Sequence, residues 1–79
     1  MRLPHYHLNI FWSEEEGLWI ADFPDLMGCT THGDTPAEAA TNAEEALAGW
    51  LDVSREHGDV IPEPRYRPFI YADRFPHAA

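Results

Sequence analysis

Seventy-nine residues hold one domain and no more, and they carry 14 acidic side chains against five arginines, a net charge of −9. That sign excludes phosphate-backbone binding by the isolated domain and any polybasic membrane contact, and it suits a basic protein partner. With 44% hydrophobic and 13% aromatic residues the chain reads as a small globule rather than an acidic disordered tail. A chain this short buries only roughly 60–65% of the surface it exposes when unfolded. Its core is thin, and a partner or a second copy adds stability. Cys29 is the single cysteine, so no internal disulfide forms and a reducing compartment is compatible. Residues 1–5 lack a signal-peptide core, and no run approaches the roughly 18 apolar residues of a membrane span. The expectation is a soluble, cytoplasmic protein.

His5 to Trp12 alternates, with Tyr6, Leu8, Ile10 and Trp12 on one face and His5, His7, Asn9 and Phe11 on the other. Period two with aromatic and β-branched residues predicts a strand whose buried face stays open, because both faces carry aromatics. Residues 13–17, Ser-Glu-Glu-Glu-Gly, read as a polar turn, and Leu18 to Phe23 as a second strand paired as a hairpin. Pro24 ends that strand because it cannot donate to the ladder. A compact loop holding Leu26 follows, then a third short strand from Cys29 to His32, closed by Gly33.

The helix signal is the clearest. Thr35 is a good N-cap, Pro36 suits the first helical position, and Glu38 completes a Thr-x-x-Glu capping box. No proline interrupts residues 36–57. Ala39, Ala40, Ala43, Ala46, Leu47, Trp50 and Leu51 recur at helical spacing as the inward stripe. His57 and Gly58 form the stop signal. Beyond it, Val60-Ile61 is a short β-type segment, and Phe69-Ile70-Tyr71 adds a candidate edge strand among prolines. The predicted architecture is α+β, two-layer: a three-stranded antiparallel sheet, one long helix and a short further strand. The domain spans residues 1–72 with its core at 5–64, and residues 73–79 form a tail.

Several segments taken together resemble the HicB antitoxin family. They are residues 23–29, Phe-Pro-Asp-Leu-Met-Gly-Cys, then Gly33-Asp34-Thr35, Glu38-Ala39, Glu45-Ala46-Leu47 and Trp50-Leu51, and the closing 58–64, Gly-Asp-Val-Ile-Pro-Glu-Pro. The match runs over residues 5–64 in order and at the family's spacing. The resemblance implies a partial RNase H-like fold, β-β-β-α-β, without nuclease activity. It also implies a partner, a small basic HicA-type ribonuclease whose catalytic histidine the antitoxin keeps from RNA. Many relatives add a C-terminal DNA-binding domain. Here 15 residues follow Pro64, too few for one, so the expectation is a stand-alone domain without direct nucleic-acid binding.

The remaining chemistry-bearing residues each have an ordinary structural explanation. Two-metal hydrolysis needs convergent acids, and Asp22, Asp25, Asp34 and Glu38 are the candidates. Glu38 is explained as a cap partner, and Asp25 and Asp34 as turn residues. His5 and His7 share a strand face and can meet Cys29 or His32 as metal ligands, although exposed strand histidines are commoner. Cys29 beside a histidine suggests a thiol nucleophile, yet a lone cysteine after a glycine turn is more often inert core. Trp12, Trp19, Trp50, Phe11 and Phe23 suggest a base-stacking platform but lack neighbouring cations. No catalytic residue, metal or cofactor is therefore expected. The expected partner-binding residues are Glu14, Glu15, Glu16, Asp22 and Asp25, joined by Phe69 and Tyr71, facing the cations of a HicA-like toxin. Self-association through the sheet edge or an uncovered sheet face is expected as well. Two alternatives stand beside the antitoxin: an orphan homo-oligomeric domain, and a metal-dependent nuclease of RNase H-like descent.

Overall fold

The computed structural model describes residues 4–65. Three strands, β1 (Asn9–Ser13), β2 (Leu18–Asp22) and β3 (Thr30–Gly33), form one antiparallel sheet in sequence order, and α1 (Pro36–Glu56) follows. The α+β arrangement of a three-stranded sheet and one helix is as the sequence predicts. β1 is shorter than the His5–Trp12 alternation suggests. Its register runs Asn9 opposite Asp22 to Ser13 opposite Leu18, and β2 offers no ladder partner beyond Asp22, where Phe23-Pro24 turns away. Residues 5–8 keep the alternation without the ladder, since Tyr6 is buried and Leu8 packs on the core. β3 likewise begins at Thr30, because Cys29 is committed to the preceding loop, donating to Leu26 O and accepting from Phe23 N.

The register settles which face is covered. Ile10, Ala21 and Thr31 align across the sheet on one side, and Ala21 is wholly buried. Phe11, Ile20 and His32 align on the other, where Phe11 remains 49% exposed. So Tyr6, Leu8 and Ile10 belong to the core side, and Phe11 to the open one. Trp12 and Trp19, opposite each other on the covered side, meet edge to face with centroids 5.7 Å apart.

α1 lays Ala39, Ala43, Leu47, Leu51 and Ser54 into the interface, a spacing of four, four, four and three residues. The core they close contains Tyr6, Ala21, Phe23, Leu26 and Cys29. At the N-terminus Thr35 Oγ1 accepts from Glu38 N at 3.1 Å, as predicted for the cap. The Glu38 carboxylate does not return to Thr35, however. It accepts from Asp34 N at 3.2 Å, one residue earlier, so the box is widened by one. At the other end Gly58 takes φ +68°, and the amides of Gly58 and Asp59 donate to Arg55 O and Ser54 O. This is a Schellman stop, and it requires the left-handed backbone that glycine takes without a Cβ clash.

Val60-Ile61 forms no strand. Ile61 instead packs against the core, and the Tyr6 hydroxyl donates to Pro62 O, so the segment is held by a side chain rather than a ladder. The candidate strand Phe69–Tyr71 lies outside the described residues.

Candidate partner interface

The glutamates Glu14, Glu15 and Glu16 sit in the four-residue β1–β2 turn, all exposed. Gly17 N closes the turn on Ser13 O, and Glu16 N donates to Ser13 Oγ. Asp22 ends the opposite side of the hairpin, where its carboxylate accepts from Thr30 Oγ1 at 2.9 Å. Asp25 lies half-buried in the loop after it. A five-residue strand separates these two groups by about 15 Å. The structure therefore does not gather the five predicted acids into one patch. Phe69 and Tyr71 lie outside the described residues.

The alternative chemistries separate in the same way. Among the described residues no three of His, Cys, Asp and Glu stand close enough to hold a metal ion. His7 Nε2 is spent locally on Asn9 Oδ1, at 2.9 Å. Cys29 is buried, and burial pushes its thiol above its ordinary range, with the Asp22 charge adding to the rise. A thiol raised in this way stays protonated at neutral pH and is a poor nucleophile. Tyr6 is raised as well, first by burial and then by the carboxylates of Glu63 and Asp25, with Arg55 opposing them.

Among the described residues two surfaces are exposed and apolar. One is the open sheet face with Phe11. The other is a groove of about 600 Å³ between the Met27–Cys29 segment and one side of α1, floored by Ala46, Trp50 and Val53 and ended by Asp59. The Trp50 indole donates to Met27 O at 3.0 Å and so ties helix to loop across the groove. Met27 itself is 92% exposed, and Val53 is half-exposed. Gly49 lies at the rim, in the middle of a helix that otherwise favours alanine. Trp50 packs partly against the core, as its place in the helical stripe predicts, and also lines the groove, whereas the sequence pattern gives Gly49, Met27 and Val53 no binding role. The available signal was the glycine, which costs helix stability where no turn requires it.

The comparisons now bear on this geometry. The model of the HicB-like antitoxin of bacterial toxin–antitoxin systems matches residues 6–69. This chain belongs to the HicB-like antitoxin family. A UPF0150 protein of Thermoplasma acidophilum, Ta0767, is 34% identical over 53 residues, covering 67% of this chain and 77% of the relative. An uncharacterized 14.9 kDa protein of the rep-hol intergenic region of Haemophilus phage HP1 is 31% identical over 62 residues. That match covers 66% of this chain, and the aligned part is 47% of the phage protein. No solved structure matches the chain significantly. In this HicB-like chain no described helix is long and apolar enough to cross a membrane.

Proposed function

We propose that this chain is an antitoxin that neutralises a small basic ribonuclease of the HicA type by binding it and shielding its catalytic histidine from RNA. Membership of the antitoxin family over residues 6–69 carries the reading. Charge supports it: 13 of the 14 acids lie between residues 4 and 64, with Arg55 the one cation among them. A field of one sign steers a basic partner and repels RNA, so the same surface attracts the toxin and leaves its substrate alone. The chain works in this reading by occupation rather than catalysis, and the buried, protonated Cys29 thiol is consistent with that.

The test is RNA cleavage by a purified HicA-type ribonuclease with increasing amounts of the full chain. Cleavage that stops near one equivalent, and returns as salt screens the encounter, is the expected result. Undiminished cleavage at tenfold excess contradicts the reading.

The open sheet face favours a second reading, an orphan domain that associates with itself. Phe11, Ile20 and Leu18 there are exposed or half-buried, and an apolar face on so small a protein favours association. Light scattering at micromolar concentration separates the two: an oligomer that leaves the ribonuclease untouched supports the orphan domain.

A further inference from the structure

The helix glycine Gly49 has no explanation among the described residues. Its φ is ordinary for a helix, and a Cβ built on it meets nothing within 4 Å. Alanine would fit, and alanine is what the rest of this helix uses at small positions, since glycine in a helix interior is less stable. A sequence that breaks a local rule without a local gain points to a function served elsewhere. Gly49 lies on the wall of the groove, where the missing side chain keeps the space beside Trp50 and Val53 clear.

The surroundings give the groove a sign. Glu45, Asp52 and Glu56, spaced by seven and four residues, run along the helix edge next to Gly49, and all are exposed. Asp59 stands at the groove's end, placed there by the Schellman turn. Arg55 reaches Asp52 only at 3.9 Å between exposed side chains, too weakly to neutralise that edge. The floor is apolar, and Met27 beside it is nearly fully exposed on an unbranched, adaptable side chain.

We infer that this groove is the docking site for the basic ribonuclease, taking a segment of that protein in which an apolar side chain is flanked by cations. The inference rests on the antitoxin reading and assigns its contact surface. The apolar side chain seats against Trp50 and Val53 in the space that Gly49 leaves open. Its flanking cations meet Glu45, Asp52 and Glu56 on one side and Asp59 at the end. A second copy of this chain is disfavoured as the occupant, because it would bring its own acids against these.

Isothermal titration of full-length variants against a purified HicA-type ribonuclease with its catalytic histidine replaced tests the assignment. Gly49→Ala is expected to raise Tm by about 4 °C and yet weaken binding several-fold. Gly49→Leu, also a good helix former, is expected to weaken it at least tenfold while keeping the fold. Phe11→Ser on the open sheet face should bind as the parent does. Full affinity in both Gly49 variants overturns the groove assignment and leaves the antitoxin reading intact. A parent chain that fails to bind overturns both. Two further outcomes also overturn it. In one, Gly49→Leu dissociates a homo-oligomer without weakening toxin binding, which gives the groove to a second copy. In the other, Phe69→Ser in the free chain shifts the Trp50 indole N–H resonance, which gives it to the chain's own C-terminal segment.

Discussion

Gly33, just before α1, and Gly49, in its C-terminal half, are small for opposite reasons. A Cβ on Gly33 would run into the helix backbone, 2.8 Å from the Glu38 carbonyl carbon and 2.9 Å from Ala39 Cα, with the Ala39 nitrogen nearer still. A Cβ on Gly49 would meet nothing within 4 Å among the described residues. The first end is where β3 and the helix touch backbone to backbone, and the Asn42 side chain bonds His32 O at 2.8 Å to hold them there. The second end stands off from the loop, bridged by Trp50 over an open groove. The difference separates a glycine the fold requires from one it merely tolerates.

The largest effect is expected at the closed end. Gly33→Ala must displace helix from strand and should cost about 3 kcal/mol, read as a lowered urea midpoint. A variant as stable as the parent would mean that the close approach is not structural. Leu51→Ala, removing a nearly fully buried side chain from the core behind the groove, should cost about 2–3 kcal/mol. Thr35→Ala should cost about 1 kcal/mol through the lost bond to Glu38 N. At the open end the sign reverses, and Gly49→Ala should gain about 0.5–1 kcal/mol.

The pH dependence sharpens the same contrast, because Tyr6 fastens the segment that follows the helix. Its raised pKa means that the folded state holds the phenol proton more tightly than the unfolded chain does. Its contribution is complete below pH 10, the ordinary tyrosine value, and is lost as pH rises from there through the folded-state pKa. Stability should therefore fall above pH 10, and Tyr6→Phe should flatten that fall while costing about 1 kcal/mol at neutral pH. An unchanged alkaline slope in Tyr6→Phe would assign the effect to another group.

Both ends of the helix were legible in the sequence and the groove beside it was not. Thr35, Pro36 and Glu38 state a helix start through local chemistry, and Gly58 states its stop; both need only neighbours in the chain. The hairpin and the third strand are equally local. Which face of β1 is buried was not decidable, since Tyr6, Leu8 and Ile10 alternate with His7 and Phe11; only the register with Ala21 chooses. How the predicted acids are distributed was not legible either, because sequence proximity to turns says nothing about which end of a hairpin a turn occupies. Glu14–Glu16 and Asp22 fall at opposite ends of one strand. The groove escaped because its walls, residues 27–29 and 46–53, come together only when the helix packs. The family, by contrast, was legible from six short segments in order, and the match over residues 6–69 agrees with it.

The most direct measurement of the central claim is growth of cells in which a HicA-type ribonuclease is induced together with this chain. The parent is expected to restore growth, and Gly49→Leu, present at the same soluble level, is not. Failure of the parent to restore growth when both proteins are expressed would contradict the account.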